Sequence, residues 1–364
     1  MTKPLNPKWK PLCEAPFRNK GTFYTDEDTG APKYTPCCYR NIPALDADNW
    51  QSPSLCSMRR GLAGLEEIHP SCAECLTFGS MATARLYDTP DGTYERYEFD
   101  QDTGTVGEVQ LTSCIYIGAK CNLACRMCNG RVSNTYNYVH PELAEPVVKV
   151  SSRGYDLKVQ DGVYSVCVAG GEPLLFNGTI DIVKECSEKN LSAFIITNGS
   201  VKLEGNKVYE AIKEGKENNW VMVSLDADWE LHEWIRVGID IELLKRNIQT
   251  LHQDGVLRAF NIVVSKLNYD RFLFPLQLAH EMGVEADITF LNEPSVLSCK
   301  HVEPEKRRAY AKEVLRFVKT NDLGPRVRKA AMQAISGLLQ LPYEGSSDEE
   351  YLYQYLTRDV TWPQ

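Results

Sequence analysis

The chain of 364 residues predicts an α/β fold that has an irregular N-terminal module and a helical C-terminal tail. Three observations support this prediction. From residue 108 onward, apolar strand-like runs alternate with helical runs, which is typical of repeated βα units and a parallel sheet. Residues 1–88 have little periodic apolar sequence and contain six of the thirteen cysteines. Beyond Pro294 the pattern is helical.

The composition limits the class of protein. An apolar content of 43% without low-complexity tracts predicts an ordered globular chain. There is no run of eighteen apolar residues, and the first residues, MTKPLNPKWK, lack the apolar core of a signal peptide, so we expect a cytoplasmic protein without a membrane partner. The cysteines are then reduced thiols or metal ligands rather than disulfides. A net charge of −9 argues against nucleic acid as a partner.

The N-terminal module, residues 1–88, reads as a short hairpin around residues 25–36 followed by a short helix. Ser52 or Ser54 is expected to cap this helix, which places Leu55, Met58 and Leu62 on one side. A segment with so few apolar residues for a hydrophobic core needs a bound metal centre to stabilise its fold. Four cysteines without a histidine suit either a structural zinc ion or a fully ligated iron–sulfur cluster, and their spacing does not separate the two. The proposed ligands are Cys13, Cys37 (or its neighbour Cys38), Cys72 and Cys75.

Residues 89–108 are polar and rich in glycine, and they are predicted to be a linker. Residues 109–295 contain six predicted strands, too few for a closed eight-stranded barrel. Residues 296–364 form the predicted helical extension, whose basic side chains, Arg307 among them, are expected to be solvated. The strands are Val109–Gly118, Val163–Ala169, Ser192–Thr197, Trp220–Leu225, Arg258–Ser265 and Ala286–Leu291.

Three cysteines follow the first of these strands in the pattern C-x3-C-x2-C, at Cys121, Cys125 and Cys128. Three thiolates in one tight loop suit three irons of a cubane and leave the fourth iron open to a small molecule. The alternatives are a partial zinc knuckle or buried thiols, although a zinc site usually has four ligands. The second strand ends in the sequence AGGEP, which contains Gly170, Gly171 and Glu172.

These two motifs together resemble those of the radical SAM superfamily. The resemblance implies that the three cysteines hold a 4Fe-4S cluster and that the GGE motif receives the methionyl amino group of S-adenosyl-L-methionine. It also implies an open, partial (β/α)6 barrel with its site at the carboxyl ends of the strands. On this basis Gly170 and Gly171 allow close approach of the backbone to the ligand, and Glu172 accepts a hydrogen bond from the ammonium group.

Further positions match the family's pattern at later strand ends. Asn198 lies in TNG and serves either the ligand or the turn. Ser224 and Asp226 lie in SLDAD, where close relatives have SLDG or SIDG, and they are expected to contact ribose or the methionyl carboxylate. Arg236, in HEWIR, is a carboxylate clamp, a substrate contact or a surface residue of a helix. The resemblance places the remaining contacts, to ribose, adenine or the cluster, at Asn261, Leu291 and Met127.

The N-terminal cysteine pattern is similar to the twitch/SPASM module of radical SAM enzymes, which holds an auxiliary 4Fe-4S cluster. Two features depart from that module: it precedes the catalytic domain here, and Gly30 is farther than usual from Cys37. The resemblance favours iron–sulfur over zinc for Cys13, Cys37, Cys72 and Cys75.

The function implied is reductive cleavage of S-adenosylmethionine to a 5′-deoxyadenosyl radical that abstracts hydrogen from a substrate C–H bond. The auxiliary cluster would serve electron transfer or substrate placement. The expected partners are a peptide or protein side chain as substrate and a low-potential electron donor such as flavodoxin or ferredoxin. One alternative is a small-metabolite enzyme acting on a sugar, amino acid or nucleoside. Another is a non-catalytic cluster- or zinc-binding protein.

Overall fold

The computed structural model describes residues 22–25, 32–35, 45–46, 51–70, 72, 100, 102–105, 111–147, 163–291, 294–341 and 343–345. The chain divides into two compact units. The first comprises Met1–Cys114 and Lys158–Tyr164, and the second comprises Ile115–Leu157 and Ser165–Gln364.

The first unit contains a small antiparallel sheet and one helix. Strands β1 (Thr22–Thr25), β2 (Pro32–Thr35) and β3 (Leu45–Asp46) pair in that order, so the hairpin predicted near residues 25–36 is confirmed. Helix α1 (Pro53–Leu62) buries Leu55, Met58 and Leu62, as its spacing predicts. Ser52 occupies the N-cap position, but its hydroxyl does not cap the helix. The predicted helix therefore forms through burial of its apolar side rather than through that cap.

The second sheet has six strands in the order of the chain. The pairings from β5 to β9 are parallel, and each connection contains helical segments. Parallel βα units added one after another curve into an open half-barrel, so the predicted partial (β/α)6 barrel is confirmed. The strands are β4 (Leu111–Tyr116), β5 (Val163–Ala169), β6 (Ser192–Thr197), β7 (Asn219–Ser224), β8 (Leu257–Val264) and β9 (Glu285–Phe290).

Capping side chains at the N-termini explain where several of the connecting helices start. Asn206 accepts a hydrogen bond from the Tyr209 N–H, Asp228 accepts one from the Leu231 N–H, and Ser133 accepts one from the Tyr136 N–H. Such caps satisfy amide groups that have no partner within the helix. The helices of the half-barrel are α2 (Asn134–Val139), α3 (Gly178–Glu188), α4 (Lys207–Glu214), α5 (Trp229–Ile235), α6 (Ile241–Gln253) and α7 (Leu273–Met282).

The two faces of the sheet differ in burial. On β8, Phe260, Ile262 and Val264 are fully buried, whereas Asn261 and Val263 are half-buried. Side chains alternate between the faces of a strand, so one face packs under the helices and the other carries Asn261 and Val263. The carboxyl ends of the strands therefore bring residues of this second face to one edge of the sheet.

The tail after the sixth strand forms helices α8 (Pro304–Thr320) and α9 (Pro325–Gln340). Helix α9 lies against β9, where a side chain larger than hydrogen at Gly337 would overlap Phe290. The predicted solvation of the basic residues is wrong for Arg307, which is buried and donates to the Leu341 carbonyl at 2.7 Å. Arg307 falls on the same side of α8 as Tyr310, Ala311 and Val314, and this spacing carries it inward. The part of the predicted helical extension beyond residue 345 lies outside the described residues.

None of the helices in the described ranges is both long enough and apolar enough to cross a membrane.

Candidate active site

The three-cysteine loop follows β4 and is fixed by two distant helices. From the start of α2, the Thr135 hydroxyl donates to the Cys121 carbonyl at 2.6 Å, and the Ser133 hydroxyl caps the helix and donates to the Leu123 carbonyl. From the end of α5, the Ile235 carbonyl accepts from the Arg126 N–H at 2.8 Å. The backbone of the loop is thus held by hydrogen bonds from both helices, so its shape does not depend on a bound group alone.

The thiols of Cys121, Cys125 and Cys128 interact electrostatically with one another. Burial, together with the negative charge of another member of the set, raises the pKa of each thiol to about 12. Arg236 acts in the opposite direction on all three thiols. These thiols are therefore protonated at neutral pH unless additional positive charge, such as bound iron, stabilises the thiolates.

The type of donor in this loop is what an iron–sulfur cluster requires. Over the described ranges, no three His, Cys, Asp or Glu side chains converge closely enough to hold one metal ion. Three thiolates in one loop suit three irons of a cubane and leave the fourth iron open. That Cys121, Cys125 and Cys128 hold a 4Fe-4S cluster remains a prediction.

The two glycines after β5 are required by the cysteine loop. The Gly171 N–H donates to the Gly118 carbonyl at 2.7 Å, and the Glu172 N–H donates to the Lys120 carbonyl at 2.8 Å. A Cβ atom at Gly170 would lie 2.7 Å from the Gly118 carbonyl oxygen, and one at Gly171 would overlap the Lys120 carbonyl. The GGE segment and the start of the loop are therefore joined backbone to backbone, and only glycine fits between them.

Glu172 is fully buried and links two strand ends. Its Oε1 atom accepts from the Leu174 N–H at 3.0 Å and from the Thr197 hydroxyl at 2.7 Å, and its Oε2 atom accepts from the Asn198 N–H. Burial raises the pKa of this carboxyl group, while these hydrogen bonds act to lower it. The bonds fix the carboxylate in one orientation. Its contact with an ammonium group remains a prediction.

Asn198 connects the third strand end to the cysteine loop through a partner that sequence reasoning missed. Its Nδ2 atom donates to Oδ1 of Asn122 at 2.8 Å, and Asn122 directly follows Cys121. Asn122 in turn donates to the Ser200 hydroxyl at 2.9 Å, and Ser200 donates back to Oδ1 of Asn198. Of the two roles predicted for Asn198, the structure contains the turn contact and adds an anchor for the loop.

Asp226 and Arg236 form a buried ion pair beside the loop. Oδ2 of Asp226 accepts from Nε of Arg236 at 2.7 Å, and Oδ1 accepts from the Val263 N–H at 3.0 Å. Although burial acts to lower it, the Asp226 carboxylate raises the pKa of Arg236 above its ordinary value. Arg236 is therefore a permanent cation at the site, and its interior position excludes the reading of a helix-surface residue.

The remaining predicted contacts fall into a polar pair and an apolar pair. Ser224, the last residue of β7, is paired in register with Asn261 of β8. Neither side chain makes a hydrogen bond to another part of the chain that the structure describes. Met127 packs in an apolar cluster with Ile235, and Leu291 packs against that cluster. The site thus combines two polar side chains with an apolar wall next to Cys128.

The cysteines outside the loop fall into two groups. Cys72 is buried in the first unit, whereas Cys13, Cys37, Cys38 and Cys75 lie outside the described residues. Four further cysteines, Cys56, Cys167, Cys186 and Cys299, are buried. The auxiliary metal site remains a prediction.

Residues 115–273 match the model of the Radical SAM superfamily. This part of the chain is therefore similar to the domain that defines the class of radical SAM enzymes. The chain is also similar to an S-adenosylmethionine-dependent nucleotide dehydratase of Lacinutrix mariniflava, with 28% identity over 47% of this chain and 36% of that protein. It is also similar to a probable GTP 3′,8-cyclase of Methanocaldococcus jannaschii, with 30% identity over 37% of this chain and 43% of that protein.

The chain spans between 36% and 50% of the length of the curated relatives it matches. Among solved structures, SuiB of Streptococcus suis aligns with a TM-score of 0.44 and 14% identity, over 84% of this chain and 70% of SuiB. The methylornithine synthase PylB aligns with a TM-score of 0.41 and 13% identity, over 82% of each chain.

Proposed function

We propose that this chain cleaves S-adenosylmethionine reductively to methionine and a 5′-deoxyadenosyl radical, which abstracts hydrogen from a substrate C–H bond. One observation supports this above the others. The three cysteines lie in a single fixed loop, joined backbone to backbone to the GGE segment, inside the residues that match the radical SAM model.

Each residue of the site has a role in this proposal. Cys121, Cys125 and Cys128 hold the cluster, which when bound supplies the electron for the cleavage. Arg236 offers a fixed positive charge to the methionyl carboxylate, and Glu172 offers an oriented carboxylate to the ammonium group. The apolar wall around Met127 limits access of water to the reacting bond.

Further contacts would orient the nucleoside part of S-adenosylmethionine. Ser224 and Asn261 would hydrogen-bond its ribose, and Leu291 would pack against its adenine. Gly170 and Gly171 act through the loop, because their lack of side chains lets the cluster loop and the GGE segment approach each other.

For the substrate we propose a peptide or protein side chain, with an auxiliary 4Fe-4S cluster on Cys13, Cys37, Cys72 and Cys75 for electron transfer or substrate placement. A low-potential flavodoxin or ferredoxin would reduce the catalytic cluster. A zinc ion at the auxiliary site, or Cys38 in place of Cys37, is the alternative for the N-terminal module.

A nucleotide or another small metabolite is the second candidate substrate. It is favoured by the names of the curated relatives, which are a nucleotide dehydratase and GTP 3′,8-cyclases. Each of these relatives matches less than half of this chain, so the part of the chain outside the match leaves room for a different substrate.

The test is anaerobic reconstitution with iron and sulfide, reduction with dithionite, and mass spectrometry for 5′-deoxyadenosine. Two panels of substrates are added separately, one of peptides and one of nucleoside triphosphates, and the true substrate raises the rate and appears as a modified product. Formation of 5′-deoxyadenosine that depends on each loop cysteine supports the function. A reconstituted protein that binds iron but never forms 5′-deoxyadenosine is instead a non-catalytic cluster protein.

A further inference from the structure

His232 lies on α5, one helical turn before Arg236, and is fully buried. Its Nδ1 atom lies 3.1 Å from the backbone nitrogen of Asp226, which donates the hydrogen bond. An imidazole nitrogen that accepts carries no proton, so the ring proton of the neutral form is on Nε2. This contact requires the ring to be neutral with one particular tautomer.

The surroundings keep the ring neutral. Burial lowers the pKa of His232 to about 3, Asp226 acts to raise it, and Arg236 acts to lower it. The acceptor at Nδ1 is therefore available throughout the neutral pH range. Nε2 is also buried, and it has no hydrogen-bond partner within the described chain.

The other polar groups of Asp226 accept hydrogen bonds from residues of different structural elements. The Asn268 side chain donates to the Asp226 carbonyl at 2.7 Å and to the Val263 carbonyl at 2.9 Å. The carboxylate accepts from the Val263 N–H and from Nε of Arg236. Every hydrogen-bonding group of Asp226 is thus occupied, and the residue has a single orientation.

The side chain of Arg236 has hydrogen-bond donors left for a ligand. Of its side-chain nitrogens, only Nε donates to the described part of the chain, and its charge acts on all three loop cysteines. Its terminal nitrogens therefore remain for a ligand beside the cluster loop. The orientation of the guanidinium plane depends on Asp226, because the bond through Nε fixes it on one side.

We propose that His232 is a positioning residue that, by accepting the Asp226 N–H, fixes the Asp226–Arg236 pair for a ligand carboxylate. The ligand is the methionyl carboxylate of S-adenosylmethionine, so this inference rests on the proposed function. His232 does not touch the ligand. It acts through Asp226, and Arg236 makes the contact.

The experiment compares three substitutions in the reconstituted full-length protein, with S-adenosylmethionine affinity measured by calorimetry. His232→Asn retains an acceptor near the position of Nδ1, His232→Gln places a polar group near Nε2, and His232→Leu removes both. We expect affinity to fall about tenfold in the Gln and Leu variants and to stay within about twofold in the Asn variant. The exposed His252 supplies the matched control, His252→Leu, which is expected to have no effect.

Two further measurements separate positioning from a general loss of structure. Decarboxylated S-adenosylmethionine should bind all His232 variants equally, because it lacks the group that Arg236 holds. In an Arg236→Met background, His232→Leu should have no additional effect on S-adenosylmethionine affinity. Equal loss of both ligands, rescue by Gln but not by Asn, or additive effects with Arg236→Met would each overturn the proposal.

Failure of the proposed function has a different signature. If the wild-type protein shows carboxylate-dependent binding that follows this pattern but forms no 5′-deoxyadenosine, the positioning role of His232 stands and the radical chemistry does not.

Discussion

The Oε2 atom of Glu172 lies 2.7 Å from the backbone nitrogen of Asn198 and joins the end of β5 to the end of β6. The same carboxylate binds the Thr197 hydroxyl and the Leu174 N–H. A residue that the GGE motif assigns to a ligand is therefore also a cross-link of the sheet edge. Its replacement has consequences for stability as well as for binding.

The substitution Glu172→Gln tests both roles. The NH2 group of the glutamine cannot accept a hydrogen bond, and it must replace either Oε2, which accepts from the Asn198 N–H, or Oε1, which accepts from the other donors. In either orientation a buried donor is left unpaired, at a cost of about 1–3 kcal/mol. We expect the free energy of unfolding to fall by that amount in urea titrations. Loss of the negative charge should also weaken S-adenosylmethionine binding roughly tenfold. The exposed Glu188→Gln is the control, and unchanged stability and affinity in Glu172→Gln would contradict the assignment.

The substitution Gly171→Ala tests the backbone contact between the GGE segment and the cysteine loop. Its new Cβ atom would overlap the Lys120 carbonyl, so the loop must move away from its position. We expect loss of the catalytic cluster, visible as about four fewer irons per chain after reconstitution. Gly324→Ala is the matched control, since nothing lies near the added atom. Full iron content in Gly171→Ala would refute the role of this contact.

Replacing Cys121, Cys125 or Cys128 singly with Ala should abolish 5′-deoxyadenosine formation. In the proposed cluster each thiolate binds a different iron, so no remaining ligand replaces the missing one. Mass spectrometry of the reduced reaction checks this, with iron analysis on the same samples. Cys186→Ala, a buried thiol in α3, should remain active. Turnover that survives in any of the three loop variants would remove the cluster assignment.

His232 makes stability depend on pH below neutrality. Its folded pKa of about 3 lies below the ordinary value of 6.5, so between these values the unfolded chain binds a proton that the folded chain does not. The stabilisation is complete above pH 6.5 and declines as the pH falls, by about 1.4 kcal/mol per unit. Urea unfolding between pH 7.5 and pH 5.5 should have a shallower pH slope in His232→Asn than in the wild type. Parallel slopes would contradict a buried neutral imidazole beside Asp226 and Arg236.

The double substitution of Cys72 and Cys75 with Ala tests the N-terminal module. The wild-type protein should hold about eight irons as two cubanes, and the variant about four. Cleavage of S-adenosylmethionine should persist without product formation, while protease sensitivity of the first eighty-five residues rises, because metal binding and local folding are coupled. Cys56→Ala is the control. Four irons and one zinc ion in the wild type would assign the module as a structural zinc site.

The sequence was sufficient to predict the strands and the motifs that consist of consecutive residues. Strand runs such as Val163–Ala169 and Ser192–Thr197 match the observed strands, because short apolar runs between turn residues identify buried parallel strands. The cysteine loop and the GGE segment were likewise visible, because each is a contiguous motif that ends a strand.

The contacts that position these motifs were not predictable from the sequence. Asn122, His232 and Asn268 each act on residues that other elements contribute, and nothing local distinguishes a buried asparagine with a partner from a turn residue. The role of the glycines was also partly missed. The resemblance predicted close approach of the backbone to a ligand, and the structure also places the carbonyls of Gly118 and Lys120 against these glycines.

The bond between the Arg126 side chain and the Trp234 carbonyl joins residues 108 positions apart. The neighbouring hydrogen bond from the Arg126 N–H to the Ile235 carbonyl holds the same side of the cysteine loop. A ribosome adds about 5–20 residues per second, so the three cysteines are exposed for several seconds before α5 is made. For the proposed cluster, assembly is therefore expected to follow the synthesis of α5, and until then the thiols of the nascent chain are open to oxidation.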